Sequence, residues 1–191
     1  MGTRMESWLP RHRITVEEYY RMAEVGLLAE DARVELIEGE IIDMAPIGSR
    51  HGAAVDRLDR LLQRSVGDRA TVRVQGSIRL SASTEPQPDI VLLKPRDDFY
   101  ASKHPTGPDT LLIIEVSDTT FRYDSEVKVP LYARHGVPEV WVVDLKSRRI
   151  HFFRASSGGE YADVTSAGEP AEIRLVALPG VAIDLSGMFG K

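Results

Sequence analysis

A continuous apolar run, Leu111-Leu112-Ile113-Ile114-Glu115-Val116, ends in a carboxylate and then in the polar cluster Ser117-Asp118-Thr119-Thr120. The run predicts a buried strand. Charged side chains are almost never fully buried unless paired or metal-bound, so Glu115 requires a partner where the strand leaves the core. Two flanking segments can supply one. Upstream, Gln87-Pro88-Asp89-Ile90-Val91-Leu92-Leu93 reads as a second short strand that opens on Asp89. Downstream, the segment from Asp124 reads as a helix with Asp124, Lys128 and Tyr132 at intervals of four, hence on one face. Two carboxylates at neighbouring strand ends make an oxygen site for a hard cation such as Mg²⁺, and a helical ammonium beside them can offset developing negative charge.

The rest of the chain is read as a frame for this pocket. With 191 residues, 42% hydrophobic and 28% charged, it is long enough to build a core as one domain. The absence of cysteine excludes disulfides, thiolate zinc sites and thiol catalysis, and agrees with a cytoplasmic, reducing location. His12, His51, His104, His135 and His151 show no paired spacing on a helix, so histidine zinc is not expected. The N-terminus, with Arg4, Glu6, Arg11 and Arg13, has no apolar stretch for a signal peptide or anchor, and Glu6 breaks the myristoylation pattern that Met1-Gly2 begins. No run reaches the roughly 20 apolar residues of a membrane span. A net charge of -5 argues against a generally basic nucleic-acid binder, while leaving room for local basic stripes.

Taken in order, Thr15-Val16-Glu17-Glu18 is a capping box that starts a helix to about Val25. Residues 33–44 form two short runs about Gly39, a hairpin. From His51 to Arg64 an amphipathic helix carries Ala54, Val55, Leu58, Leu61 and Leu62 on its core face and Arg57, Arg60 and Arg64 on another. Alternation over residues 71–75 and 77–80 predicts two strands before the Asp89 strand, and Lys94 to Asp109 reads as a loop. Pro130 predicts a kink or a short 3₁₀ entry in the helix from Asp124, which ends at His135-Gly136. Glu139 to Asp144 and Arg149 to Arg154 form a further hairpin, followed by short strand-like pieces to the C-terminus.

The succession helix, strand, strand, strand, helix, strand, with acids on the second and third strands, resembles the PD-(D/E)XK nuclease core. Within that superfamily the sequence resembles the Uma2 family, also called DUF820, of restriction-type endonucleases. The blocks that carry the likeness are Glu35-Leu36-Ile37-Glu38-Gly39-Glu40-Ile41, Pro46-Ile47-Gly48 with His51, Gln87-Pro88-Asp89, Ile114-Glu115-Val116-Ser117, Tyr123-Asp124 with Lys128 and Tyr132, and Gly136 to Trp141 with Val143-Asp144. The resemblance implies an α+β (α/β) fold with a mixed central sheet flanked by helices. It spans one domain, residues 1–191, with an N-terminal extension over 1–45, a core over about 46–155 and C-terminal strands over 156–191. By the same resemblance Asp89, Glu115 and Lys128 are the catalytic residues, with Asp89, Glu115 and the carbonyl of Val116 holding Mg²⁺ or Mn²⁺. One departure stands out: position 117, where the superfamily text has lysine, is Ser117, so the lysine comes from the helix as Lys128. Glu35, Glu38, His51 and Asp124 are accessory candidates, and Arg57, Arg60, Arg64, Arg73 and Arg79 are candidates for nucleic-acid contact beside the metal cleft.

Taken singly, each residue has a plainer role: Asp89 as a turn residue after Pro88, Lys128 as a solvated helix lysine, His51 as a helix-start residue. The implied activity is metal-dependent hydrolysis of nucleic-acid phosphodiesters, with double-stranded DNA as the expected partner, by a homodimer. The alternatives are a non-cleaving binding module on the same fold and a hydrolase of small phosphoesters.

Overall fold

The computed structural model describes residues 11–29 and 31–190. The sequence features at Met1-Gly2, Arg4 and Glu6 lie outside them. Helix α1 (Val16–Glu24) starts as its capping box requires: the Thr15 hydroxyl accepts from the Glu18 amide while the Glu18 carboxylate accepts from the Thr15 amide at 2.7 Å. Strands β1 (Val34–Ile37) and β2 (Glu40–Asp43) form the expected hairpin. Its turn residues Glu38 and Gly39 both have positive φ, 49° and 78°, the combination that matches the twist of two directly joined strands.

Helix α2 (Ser49–Val66) buries Ala54, Val55, Leu58, Leu62 and Val66 along one stripe. Strands β3 (Thr71–Val74), β4 (Ile90–Leu93), β5 (Thr110–Ser117), β6 (Glu139–Asp144), β7 (Arg149–Ser157) and β8 (Glu160–Ala167) form one sheet in that spatial order. Within this sheet, among the described residues, β5 and β6 pair in parallel, joined by the helical crossover between them, and the other neighbours pair antiparallel. Short strands β9 (Ile173–Arg174) and β10 (Ala182–Ile183) pair separately. None of the helices is long and apolar enough to cross a membrane, among the described residues.

Two of the expected elements differ. Residues 77–80 do not make a sheet strand. Gln75, at φ 48°, turns the chain off the sheet edge, and the amides of Ile78, Arg79 and Leu80 donate instead to Pro86, Pro105 and Thr84. The helix after β5 begins at Phe121, not Asp124. It runs through an α turn (Phe121–Tyr123), a wide π turn (Asp124–Lys128) and an α segment (Val129–Arg134), here called α3 over 121–134. The irregularity at Pro130 is thus a widening, where a kink or 3₁₀ tightening was expected. The Val129 amide donates five residues back, to Asp124. The wider turn moves the carbonyl that a proline ring would otherwise meet.

The sheet is covered on both faces. Ile90, Leu92, Leu112, Ile114 and Val116 pack with α2 and the C-terminal segment. Val91, Leu93 and Ile113 pack with Val129 and Tyr132 of α3. Side chains alternate along strands, so Asp89 and Glu115, with the parity of Val91 and Ile113, face α3.

Candidate active site

Two acids and a lysine meet because of strand register. β4 and β5 pair with Ile90 opposite Ile114, and extending that register by one residue sets Asp89 opposite Glu115. Directly opposed residues of antiparallel strands have Cβ atoms about 4.5–5.5 Å apart. Asp89 is clamped further: its Oδ2 accepts the Val116 amide at 2.8 Å and contacts His51 Nε2 at 3.1 Å, which ties β4, β5 and the first turn of α2 together.

Lys128 descends from α3 onto this pair. Its ammonium lies 2.8 Å from Glu115 Oε1 and 3.2 Å from Glu35 Oε2, and all three side chains are buried. Tyr132, four residues on, donates to the same Glu115 oxygen at 2.5 Å. Glu35, at the centre of the N-terminal hairpin, also accepts from the Tyr123 hydroxyl at 2.9 Å and the Gln87 amide at 3.0 Å. Asp124 accepts from Ser117 and Thr120, both at 2.6 Å. The extension therefore supplies a group to the centre of the site.

Burial dominates the electrostatics. It pushes the Glu115 carboxyl up to about 8 against the pull of Lys128, with Asp124, Asp89 and Glu35 adding to the rise. Asp124 is raised by the same cause. Burial alone would lower the Lys128 ammonium, but Glu115, Tyr132, Glu35 and Asp124 around it hold it well above the ordinary lysine value. Lys128 is a permanent cation at neutral pH.

These groups open into one cleft of about 950 Å³, lined by Asp89, Glu115, Val116, Lys128, Glu35, His51 and Asp124 together with Tyr123, Met44, Ile47 and Val127. Glu38 is not among them. It sits exposed at the β1–β2 turn and pairs with Arg134 at 2.7 Å. None of the five arginines expected beside the cleft lines it. Arg57, Arg60 and Arg64 lie on the solvent side of α2, about 9–20 Å along the axis from His51 at 1.5 Å per residue. Arg73 reaches the Phe99 carbonyl, and Arg79 pairs with Glu85 and Glu17. The arginines that line the cleft are Arg33 and Arg122. Sequence reasoning passed over Tyr123 and Gln87 as partners of Glu35, and gave Tyr132 no role, although its spacing from Lys128 was the available signal.

A divalent cation fits the chemistry of the donors. Asp89 Oδ1 and Glu115 Oε2 have no hydrogen-bond partner among the described residues, and Mg²⁺ is commonly held by one or two carboxylates with water and substrate oxygens completing its shell. Among the described residues seven carboxylates line the cleft against the fixed cations Arg33, Arg122 and Lys128, with His51 bonded to Asp89, so positive charge is what it lacks. Among the described residues no three of His, Asp and Glu are grouped as a preformed cage.

Comparison with known proteins agrees with the fold. A crystal structure of a putative nuclease belonging to DUF820 from Anabaena variabilis ATCC 29413 superposes with a TM-score of 0.70 at 15% identity, covering 92% of this chain and 97% of that one. A cryoEM structure of a DrdV-DNA complex aligns with a TM-score of 0.39 at 17% identity, over 74% of this chain and 12% of that one. No curated protein matches the sequence. The sequence model of the family Uma2, described as "Putative restriction endonuclease", matches residues 16–186. The chain belongs to the Uma2 family.

Proposed function

We propose that this protein is a metal-dependent endonuclease that hydrolyses DNA phosphodiester bonds. The observation that carries the reading is the meeting of Asp89 and Glu115, from paired strands, with a permanently charged Lys128 in one open cleft. The family description "Putative restriction endonuclease" and that of the Anabaena protein, "a putative nuclease belonging to DUF820", point the same way.

Asp89 and Glu115, with the carbonyl of Val116, would hold Mg²⁺ or Mn²⁺. When bound, such an ion supplies a water of lowered pKa and charge to offset that on the phosphoryl oxygens. His51 and the Val116 amide occupy one oxygen of Asp89 and leave the other for a ligand. Lys128 has three N–H donors, two spent on Glu115 and Glu35. The third is left for the attacking water or a non-bridging oxygen. Because it stays protonated, Lys128 orients and stabilises but accepts no proton. Glu35 and Tyr132 act through it and Glu115 as positioning residues.

The test is cleavage of supercoiled plasmid across a Mg²⁺ and Mn²⁺ titration, with EDTA as the blank. The wild-type protein is expected to linearise or nick plasmid only with metal. Asp89→Asn, Glu115→Gln and Lys128→Met are each expected to lose at least about a hundredfold in rate, the scale of removing one charge-stabilising group from a reacting centre. Wild-type protein that binds DNA yet leaves it intact at every metal concentration would make the chain a non-cleaving binding module. Activity on small phosphodiesters without activity on DNA would make it a small-molecule hydrolase.

A further inference from the structure

The acidic balance of the cleft raises a problem for a polyanionic substrate. Seven carboxylates against three cations repel the phosphates on either side of the scissile bond, and one divalent ion does not reverse that excess. The flanking strand has to be gripped elsewhere. A second hollow of about 270 Å³ adjoins the cleft at the start of α2 and the turn between β6 and β7, and three arginines, Arg50, Arg57 and Arg148, line it.

Arg50 links the two spaces. Its guanidinium reaches the Leu145 carbonyl, in the hollow, at 3.1 Å and Asp118, in the cleft, at 3.5 Å. Arg57 and Arg148 have no carboxylate within ion-pair distance among the described residues. They are steadied by neutral groups: Arg57 donates to the Met188 carbonyl at 3.4 Å, while Arg148 donates to the Gly190 carbonyl at 2.9 Å and stacks 5.5 Å from the Phe189 ring. Both stay exposed, and each guanidinium keeps donors in excess of its bonds. In a chain of net charge -5, two arginines with no paired carboxylate among the described residues, gathered with Arg50 in one hollow, are a localised positive site. Arg148 also holds a positive φ of 54°, a backbone state that favours glycine or asparagine.

The geometry points to this Arg50–Arg57–Arg148 hollow as a phosphate-binding subsite for the DNA strand that leaves the cleft. The inference rests on the endonuclease reading above and deepens it, since it names the path of the substrate. Guanidinium forks recognise phosphate oxygens in pairs and without regard to base, so the subsite contributes affinity and register, not sequence choice.

The experiment is fluorescence anisotropy of a labelled 20-base-pair duplex in Mn²⁺ across a NaCl series, paired with cleavage kinetics on the same duplex. Arg148→Glu and Arg57→Glu are expected to raise Kd about tenfold and to make the slope of log Kd against log salt shallower by about one, while kcat at saturating DNA stays at the wild-type level. Arg148→Lys is expected to recover most of the affinity. Arg64→Glu, on the same helix outside the hollow, should leave Kd unchanged. Should Arg57→Glu loosen the C-terminal segment and fail to fold, Arg148→Glu, on a hairpin turn, decides the matter alone. Wild-type Kd and slope in a folded Arg148→Glu protein overturn the subsite and leave the endonuclease standing. A wild-type protein that binds no duplex overturns both.

Discussion

Glu115 is the residue on which the site turns, because a carboxylate so deeply buried is stable only through its neighbours. Lys128 and Tyr132 share one of its oxygens, and Glu35 shares Lys128. The residual strain is electrostatic and shows in its proton affinity, which lies near 8 where a free glutamate has 4.5. Between those values the unfolded chain has released a proton that the folded chain keeps, so raising the pH across that window lowers folding stability. Asp124, raised by burial, acts in the same direction. His51, raised chiefly by its hydrogen bond to Asp89, adds stability below its ordinary value of 6.5 that is lost as the pH climbs through its folded value. In EDTA the thermal midpoint should therefore fall between about pH 5 and pH 8.5, by about 2–4 °C for each kcal/mol lost. Glu115→Gln should flatten the fall, and added Mg²⁺, which binds the ionised carboxylates, should oppose it most at the alkaline end. A wild-type profile that is level in EDTA contradicts this account of Glu115.

At the scale of elements, the N-terminal hairpin matters as much as the strands of the sheet, since it delivers Glu35 to Lys128. Its turn allows little substitution. Gly39 has φ 78°, and a Cβ there would lie 2.6 Å from Arg13 Cβ. Gly39→Ala should cost about 1–3 kcal/mol, the range for a side chain forced into a sparsely populated backbone region, read as a shift in urea midpoint. It should also reduce cleavage by displacing Glu35, and full activity in a destabilised variant would detach the hairpin from the site. Much of this element structure was legible beforehand. The apolar run into Glu115, the Pro88-Asp89 strand entry, the Thr15 capping box and the 4-residue spacing of Asp124, Lys128 and Tyr132 are local patterns with local causes. Residues 77–80 misled because alternation alone does not reveal that Gln75 turns the chain away from the sheet. The π turn was hidden because its width depends on Pro130 and on the bonds that hold Asp124 and Lys128 in the core. The Glu35–Lys128 pair spans 93 positions and follows from how the hairpin docks, which no short motif encodes. The same holds for the cleft arginines: helix periodicity grouped Arg57, Arg60 and Arg64 on one face of α2 but gave no sign that Arg33 and Arg122, from two other elements, line the cleft.

For the whole molecule, the sheet sets the acids and lysine at one end of β5, and α2 and α3 close its two faces. The apolar side chains of the N-terminal elements are divided: Val16, Leu36 and Ile37 are buried and the Tyr20 hydroxyl bonds Glu85, while the Tyr20 ring, Val25 and Leu27 are exposed. Cutting both strands of a duplex with one such site per chain still favours a two-fold dimer. Light scattering at micromolar concentration should give a mass near twice 21.2 kDa, whereas a mass of 21.2 kDa with and without duplex would point to a monomer that nicks single strands. The most direct measurement is a crystal of the protein with Mn²⁺ and a short duplex, with anomalous scattering recorded at the manganese edge. The expected result is a peak about 2.0–2.6 Å from both Asp89 Oδ1 and Glu115 Oε2, beside a phosphate of the DNA. A cleft that holds no manganese at millimolar concentration, or manganese bound away from both carboxylates, contradicts the central claim.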